Sequence, residues 1–588
     1  MPASGPAPRL LHPPVESPTP HPHHPATPIV KEDDAMTRPT TTPRTRIDRR
    51  GRRGLVVGAA LATAALGAGL LSGAPATAAP GGPASRPVVV QDPGFEQGAA
   101  GWVSKGKGTT TLEAGGHDSA TRLTHVLSTA GTATTSQKLK KVTPGWWTFS
   151  AWVKSGGGLA TSTLSLTGCG TGSSTDAAGT TVVPSTESDD GWLHLSVSAE
   201  VTHSQCTPTL TTSGAAGAWA SMDDVTFTPG RVTRDVRGAD LSGLPRNEDR
   251  GAVYLDAAGR PIDPVTQLAD HGANMVRLKV WVDPTDGYND QDDVVAMAAR
   301  VKAAGMQLLV DFHYSDRWTD PGAQTMPKAW LGLSAPEVAT KIHDHTRSVL
   351  DALAAEGITA DAVQVGNEIN PGMVWPLGQT WDVDPSDGVS GAQWDNLAMF
   401  LTAGATAVKE VSPTTRVVLH LTNINNGIDG LTWWFDEATS RGVPFDLIGL
   451  SYYGYWHGGL SGMQQAVTTL SARYDRDVLI VETSYPWTLQ DDPDHTWENV
   501  VVDPSQLVAG YPATPEGQAA NFRAIQDVVA SAPGGRGIGV VAWEPVWTAV
   551  DGAGWDPDDP TSGNAWENQA MWDFDGRPLP ALDEYAAD

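Results

Sequence analysis

The sequence has little cysteine, a deficit of basic residues and, beyond its first eighty positions, no apolar run long enough to cross a membrane. Two cysteines in 588 residues are too few for a disulfide-built scaffold and do not resemble a metal cluster. Lysine and arginine number 39 against 67 acidic residues, and the net charge of −28 excludes nucleic acid and anionic membranes as general partners. We therefore expect a soluble protein that acts on neutral material. Separately, we expect the protein to be a monomer.

The N-terminal region predicts export from the cell. Six arginines between positions 44 and 53 precede the apolar run "GLVVGAALATAALGAGLL", and a small A-x-A site follows at Ala76 and Ala78. This order is typical of a secretory signal peptide, and the paired arginines suggest the twin-arginine type. A transmembrane anchor is the alternative, although the run is short for a full span and rich in glycine and alanine.

The secreted compartment favours a disulfide between Cys169 and Cys206. Residues 1–79 are then a disordered N-terminus with its signal peptide, and residues 80–87 form a Pro/Gly/Ala-rich linker.

The remaining length predicts two folded domains. Residues 88–230 are rich in Thr, Ser and Gly, and runs such as "WWTFSAWVKS" and "WLHLSVSAEV" alternate with period two, which favours an all-β sandwich. Residues 231–588 contain eight short apolar runs, most of them separated by Ala-rich helical patterns. That alternation predicts an α/β fold, the (β/α)8 or TIM barrel.

The first domain has "DPGFEQGAAGW" near its start and "ASMDDVTFTP" at its end. In these stretches it resembles jelly-roll carbohydrate-binding modules, including family 61, which recognises β-1,4-galactan. The resemblance implies a structural calcium ion held by Glu96 and Asp224, or Asp223, although these acids could instead only cap turns. Neighbouring residues of a strand face opposite sides, so about half of the candidate sugar platforms should lie in the core. The candidates are Trp146, Trp147, Trp152 and Trp219.

In the second domain, each apolar run ends in polar side chains. The carboxyl ends of barrel strands meet at one face, where active sites are built; alternatively, the polar residues only mark where strands leave the core. The side chains in question are Arg277, Asp311, His313, Asn367, Glu368, His420, Asn423, Tyr452, Tyr453, Glu482, Trp543 and Glu544.

Glu368 and Glu482 end the fourth and seventh runs, so in a barrel they face each other across the mouth. Two carboxyl groups, one protonated and one ionised, are what glycosidic bond cleavage needs, and a separation of about 5 Å would imply retention of configuration. Asn367 can donate to a sugar 2-hydroxyl. Arg277 and Tyr453 are placed to keep Glu482 ionised, while Glu368 needs a raised pKa to act as an acid. The alternative is that Glu368 is a buried structural residue.

Five longer motifs stand in this domain: "LLVDFHYSDRWTDPGAQTMPKAW", "QVGNEIN", "SYYGYWHG", "VETSYPW" and "WENQAMWDFDGRPLP". Through them the domain resembles glycoside hydrolase family 53, the secreted endo-β-1,4-galactanases. The resemblance implies that Glu368 is the acid/base and Glu482 the nucleophile. It also implies substrate contacts from Arg277, His313, Asn367, Tyr453, Trp543, Trp318 and Trp375.

Bacterial members of the family hold a calcium ion between the loops after strands seven and eight. Here "DDPDHTWEN" and "SGNAWENQ" stand at those places, with altered spacing around the histidine. Hard oxygen ligands suit calcium, although a solvated acidic loop is the alternative. The ligand candidates are Asp492, Asp494, His495, Asn499, Asn564 and Glu567.

Three functions follow from these patterns. The first is a secreted retaining endo-galactanase, whose N-terminal module holds it on β-1,4-galactan and so raises the local substrate concentration. The second is a galactan-binding protein that no longer turns over its ligand. The third keeps the barrel but acts on xylan, mannan or cellulose, because fold and catalytic machinery are shared among such enzymes. The long match around "HYSDRWTDPGAQTMPKAW" argues for galactan.

Overall fold

The computed structural model describes residues 88–170, 177–495, 497 and 499–587. The signal peptide and linker that the sequence predicts lie outside these ranges. Within these ranges, no helix is both long and apolar enough to span a membrane.

The first domain is a sandwich of two antiparallel sheets, with strand orders β1-β4-β10-β7-β8 and β2-β3-β11-β6-β9, and β5 pairs with β10. A disulfide between Cys169 and Cys206 joins the end of β7 to β10. The all-β prediction is confirmed. The strands are β1 Val103–Gly106, β2 Thr109–Ala114, β3 Thr121–Val126, β4 Gly131–Ser136, β5 Leu139–Lys140, β6 Gly145–Gly156, β7 Leu159–Thr167, β8 Ala177–Val182, β9 Leu193–Val201, β10 Gln205–Gly214 and β11 Trp219–Pro229.

Strand β6 illustrates how the sandwich core forms. Trp147 points inward and stacks on Phe227 with ring centroids 4.8 Å apart. Its neighbour Trp146 is 39% exposed and lies under the guanidinium of Arg231, 4.3 Å from the ring centroid. The two adjacent indoles thus face opposite sides of the sheet, as the alternation of strand side chains requires.

The second domain is a closed parallel barrel of β12-β13-β14-β15-β18-β19-β20-β21, and a short hairpin of β16 and β17 follows β15. The eight apolar runs are the eight barrel strands, so the barrel prediction is confirmed. The strands are β12 Val236–Asp240, β13 Met275–Val280, β14 Gln307–Phe312, β15 Ala362–Val365, β16 Gly372–Met373, β17 Gly378–Gln379, β18 Arg416–Leu421, β19 Leu447–Ser451, β20 Asp477–Thr483 and β21 Gly537–Ala542.

Helices surround the barrel and cover its apolar strands, which are buried on both faces as parallel strands usually are. Several begin at side-chain caps: Asp290 accepts the N–H of Asp293 before α3, and Thr514 accepts the N–H of Gly517 before α9, which satisfies donors that a helix N-terminus leaves unpaired. The helices are α1 Leu244–Asp249, α2 Pro264–Asp270, α3 Gln291–Ala303, α4 Ala335–Ala355, α5 Trp394–Val411, α6 Ile428–Ser440, α7 Gly454–His457, α8 Leu460–Tyr474 and α9 Pro515–Ala530.

Strand β9 of the sandwich docks on helices α8 and α9 of the barrel. The buried amide of Gln464 accepts the backbone N–H of His194 at 2.6 Å and donates to its carbonyl at 2.7 Å. The same amide donates to the carbonyl of Val528 at 2.9 Å. At the end of α9, the Ser531 hydroxyl accepts the backbone N–H of Ser196 at 2.9 Å. The two domains therefore meet through satisfied backbone groups rather than through the connecting segment alone.

Replacing Gln464 by alanine should weaken this docking. The substitution leaves backbone groups of His194 and Val528 without partners at a buried contact, which costs about 1–3 kcal/mol, and the thermal unfolding midpoint should fall. Gln465→Ala, an exposed position on the same helix, is the matched control. Equal midpoints for the two variants would contradict the docking contact.

Candidate active site

Glu368 lies just beyond the carboxyl end of β15, in backbone with a positive φ of 48°. Gly366 makes this turn possible, because a Cβ at that position would lie 2.6 Å from the Ile369 side chain. The backbone N–H of Glu368 donates to Nδ1 of His420 at 3.2 Å, and its carboxyl accepts the Ser451 hydroxyl at 2.5 Å. Glu368 is thus held at its backbone and at its carboxyl group.

Arg277, on β13, is the centre of the charged network, and it is 1% exposed. One terminal nitrogen, Nη2, contacts the Glu482 carboxylate and donates to the Asn367 amide oxygen, both at 2.8 Å. The guanidinium also donates to Asp311 at 2.7 Å and to Asp240 at 2.6 Å. A planar fork of five N–H donors suits such a set of acceptors. The cation predicted to face Glu482 is therefore in direct contact with it.

Glu482 has a second donor, since the Tyr453 hydroxyl donates to its other oxygen at 2.9 Å. Burial raises the pKa of both Glu482 and Glu368, and the two carboxyls titrate as a pair. Arg277 and Tyr453 face Glu482 directly, which favours the ionised form there. When the pair holds a single proton, we therefore assign the charge to Glu482 and the proton to Glu368.

Both carboxyls open into a cavity of about 460 Å³ at the carboxyl end of the barrel strands. Of the predicted substrate contacts, His313, Trp318, Asn367, Tyr453 and Trp543 are among its lining residues. The other lining residues are Thr319, Asp320, Pro321, Thr422, Asn423, Trp456, His457, Trp547, Trp555 and Trp566.

Two predicted substrate contacts are not part of this lining. Arg277 lies behind the cavity wall, where it contacts the lining residues Glu482 and Asn367. Trp375 follows the turn after β15, where its indole N–H donates to the Pro371 carbonyl at 3.0 Å. Its backbone N–H donates to the Gln324 carbonyl at 2.8 Å. Trp375 therefore helps to build the loop beside the cavity.

Sequence reasoning missed four cavity tryptophans. Trp456 and Trp566 stand within the quoted motifs "SYYGYWHG" and "WENQAMWDFDGRPLP", and Trp547 and Trp555 follow β21. Trp566 lies edge-on to Trp543 at 5.1 Å. Position within a motif was the available signal, but a sequence does not tell which indoles of a loop point inward.

His313 is a neutral ring that shapes the cavity wall. Its Nδ1 accepts the backbone N–H of Thr319 at 3.1 Å, so the ring hydrogen lies on Nε2 and points to Asp311 at 3.0 Å. Burial lowers the pKa of His313. The ring thus links the Asp311 carboxylate to the loop that carries Trp318.

Glu544 belongs to a second buried pair below the cavity. Its carboxylate accepts Lys279 at 3.1 Å and the backbone N–H of Gly243 at 2.9 Å. The Lys279 ammonium lies 3.9 Å from the ring centroid of Trp318, a cation–π distance. Lys279 thereby covers one face of Trp318.

The loops after β20 and β21 contain the predicted barrel calcium ligands. Two buried oxygens, Asn499 Oδ1 and Glu567 Oε2, have no hydrogen-bond partner, and burial raises the pKa of Glu567 to about 7. Glu567 Oε1 accepts the backbone N–H of Asp492 at 2.7 Å. An orphaned amide oxygen beside an orphaned carboxylate oxygen fits a hard cation such as calcium.

The other predicted calcium ligands already have hydrogen-bond or ionic partners within these loops. Asp494 donates its backbone N–H to Asp492 at 2.9 Å, and His495 Nδ1 lies 3.4 Å from the same carboxylate. Asn564 is occupied within its own loop, since its amide donates to the Trp547 carbonyl at 2.8 Å and accepts the N–H of Trp566 at 2.9 Å.

In the sandwich, Glu96 and Asp224 have different hydrogen-bond partners. The Glu96 carboxylate is exposed and accepts the backbone N–H of Thr121 at 2.6 Å. Asp224 instead joins His117 and Asp118, and the possible ligand atoms of these three residues lie within 4.8 Å of one another.

The remaining candidate sugar platforms of the sandwich are half-buried. The Trp152 ring stacks on His117 at 3.7 Å, and Trp219 lies at the start of β11. With Trp147 in the core, Trp146 is the most exposed of the four.

Residues 236–585 match the family model described as Glycosyl hydrolase family 53. The arabinogalactan endo-beta-1,4-galactanase of Cellvibrio japonicus (strain Ueda107) is 36% identical over 364 residues, 60% of this chain and 90% of that protein. The endo-beta-1,4-galactanase of Bacillus subtilis (strain 168) is 32% identical over 382 residues, 59% of this chain and 84% of that protein.

A solved structure of the same family is also similar to this chain. It is the family 53 catalytic domain of Ignisphaera aggregans, which covers 60% of this chain and 95% of its own length, with 36% identity and a TM-score of 0.55. The matched residues include the whole barrel with Glu368, Glu482 and the cavity between them. The chain therefore belongs to glycosyl hydrolase family 53.

Proposed function

We propose that the protein is a secreted, retaining endo-β-1,4-galactanase. The observation that carries the proposal is the bridging contact of Arg277 Nη2, which lies 2.8 Å from both the Glu482 carboxylate and the Asn367 amide oxygen. This contact joins Glu482, the proposed nucleophile, to Asn367, which precedes the proposed acid Glu368. It thereby connects two strand ends on opposite sides of one cavity. Relatives of the same family are named as galactanases.

In the first step, an oxygen of the Glu482 carboxylate attacks C1 of the bound galactose. The bond from C1 to the leaving sugar oxygen breaks, and Glu368 gives its proton to that oxygen. Asn367 keeps its orientation because its amide donates to the Thr319 carbonyl at 2.7 Å. The second hydrogen of the same amide group is available for the sugar 2-hydroxyl.

In the second step, Glu368 takes a proton from water while the water oxygen attacks C1. The ester bond to Glu482 breaks and returns its carboxylate, so two inversions give net retention. While Glu482 is esterified it carries no charge, and the repulsion that keeps Glu368 protonated is removed. Glu368 can then change from acid to base without any movement of the protein.

The tryptophans of the cavity suit a neutral sugar polymer. Trp318, Trp543, Trp456 and Trp566 present indole surface beside the two carboxyls, and aromatic rings offer large rigid contact area for the apolar faces of sugars. We propose linear β-1,4-galactan as the substrate, in agreement with the names of the relatives.

Purified protein should release oligosaccharides from linear β-1,4-galactan and leave xylan and mannan intact. Glu368→Ala and Glu482→Ala should each lower kcat/KM on galactan by about a thousandfold or more, because each removes one half of the two-carboxyl machinery. Chromatography of the products over time measures both effects. Equal rates on xylan and galactan, or full activity of either variant, would refute the proposal.

Glu368→Gln should stabilise the folded protein at high pH. The pKa of Glu368 is raised in the folded state, so the folded protein binds this proton more tightly than the unfolded chain, and stability falls as pH rises through the interval between the two pKa values. At pH 8 the variant lacks the buried charge and should gain about 1–3 kcal/mol.

Thermal unfolding at pH 8 and at pH 5 measures this difference. At pH 5 the wild-type carboxyl is protonated, so the gain should shrink. The exposed Glu356→Gln is the control and should not move the midpoint. A Glu368→Gln midpoint below wild type at pH 8 would contradict the assignment.

We also propose that a calcium ion ties the loops after β20 and β21. Asn499 Oδ1 and Glu567 Oε2 are its first candidates because both oxygens are buried and unpaired. Asp492, which is buried beside Glu567, is the third. The ion would supply positive charge to these oxygens and fix the loop that carries Trp566.

Removing calcium should therefore lower the thermal unfolding midpoint. A ligand present at a hundred times its Kd stabilises the folded state by about 2.7 kcal/mol, so a chelator should have a clear effect that added Ca²⁺ reverses and Mg²⁺ does not. Glu567→Gln should lose this response, while the exposed Glu516→Gln on α9 should keep it. If the chelator did not change the thermal unfolding midpoint of the wild-type protein, the proposed calcium site would be contradicted.

Two further assignments complete the proposal. The sandwich would hold the enzyme on galactan through exposed indole surface, with Trp146 as its first candidate. The basic and apolar segments before residue 80 would direct secretion.

A further inference from the structure

His420 and Ser451 take no part in the two steps above, yet both contact Glu368. Ser451 ends β19 and His420 lies on β18, so they approach Glu368 from the two strands that follow β15 around the barrel. Both side chains are fully buried.

The backbone N–H of Glu368 sets the direction of the hydrogen bonds in this group. His420 Nδ1 accepts that N–H at 3.2 Å and faces the Gln364 amide nitrogen at 2.8 Å. Nδ1 also lies 3.0 Å from the Asn367 amide oxygen, but that oxygen already accepts from Arg277 at 2.8 Å. A backbone N–H is always a donor, so a neutral His420 ring carries its hydrogen on Nε2. Nε2 lies 2.8 Å from the Ser451 oxygen and must donate to it. The Ser451 hydrogen is then left for Glu368 Oε1, at 2.5 Å.

The ring also stays neutral. Burial and the nearby charge of Arg277 lower the pKa of His420 well below its ordinary value. A neutral Nε2–H ring cannot accept from Ser451, so Ser451 donates to Glu368 wherever His420 is neutral.

We propose that Ser451, oriented by His420, is a positioning residue that directs the exchangeable proton of Glu368. Because Oε1 always accepts from Ser451, the proton that Glu368 gives to the leaving sugar is carried on Oε2. The same donor stabilises the carboxylate that activates water in the second step. This inference rests on the proposed role of Glu368 as acid and base.

Other groups near Glu368 also act on its charge. Glu482 and Asp320 favour the protonated form, and Arg277 favours the carboxylate. A hydrogen bond from the Thr422 hydroxyl also favours the carboxylate. None of these groups is changed by removing the Ser451 hydroxyl, so Ser451→Ala isolates its contribution.

The first test does not depend on activity. In protein labelled with ¹³C at the glutamate carboxyl carbon, the Glu368 resonance is identified by its loss in Glu368→Gln. Its titration midpoint should rise by about one pH unit in Ser451→Ala, as expected when a hydrogen bond to the charged form is lost. Ser451→Cys keeps a weak donor and should lie between. An unchanged midpoint in Ser451→Ala would overturn the proposal.

Measuring the tautomer of His420 is a second, independent test of the proposal. ¹⁵N NMR should report the neutral Nε2–H form between pH 5 and pH 8. The Nδ1–H form would overturn the direction of the hydrogen-bond chain, whatever the activity of the protein.

The kinetic test uses the pH dependence of kcat/KM on galactan. In Ser451→Ala the alkaline limb, which reports loss of the acid proton, should move up by about one pH unit. Ser484→Ala removes a hydroxyl beyond the end of β20, where it donates to Gln569, and should keep the wild-type profile. A merely structural role for Ser451 would lower the rate without moving the limb, which would count against the proposal. If wild-type protein does not cleave galactan, the proposed function fails, while the two NMR measurements still decide on Ser451.

Discussion

The site depends on one buried guanidinium. Arg277 is 1% exposed and contacts the carboxylates of Glu482, Asp311 and Asp240 together with the Asn367 amide. Placing several carboxylates in a protein interior is costly unless each is paired and hydrogen-bonded. The rigid fork of arginine meets this need at the ends of several strands at once. The same side chain contacts both Glu482 and Asn367 and so fixes how far apart they lie.

Around this centre, the two glutamates differ in their partners rather than in their burial. Glu482 faces a cation and a phenol, whereas Glu368 faces a serine hydroxyl and a backbone contact to histidine. Two carboxyls in one cavity cannot both ionise easily, and different surroundings decide which of them does. The barrel supplies this difference through strand order, because β15 and β20 bring distinct neighbours to opposite sides of the cavity.

The barrel and its two glutamates could be predicted because both follow from local pattern. Apolar runs mark strands, and a polar residue at a strand end must reach the common face of a barrel. The remaining features depend on loops. Trp375 was predicted to contact the substrate, and its indole N–H donates to the Pro371 carbonyl in the loop beside the cavity. Trp555 was not predicted, yet it lines the cavity from a loop after β21. Ser451 opens the motif "SYYGYWHG", but its contact with Glu368 arises only when β18 and β19 stand beside that residue.

The central claim is that Glu482 is the ionised member of the pair and attacks C1. The most direct test is to trap that intermediate with an activated 2-deoxy-2-fluoro-β-galactobioside, whose fluorine slows the second step. Mass spectrometry of the digested protein should then find one glycosyl adduct, on the peptide that contains Glu482. An adduct on another carboxylate such as Glu544, or complete turnover with α-configured product and no adduct, would contradict the account.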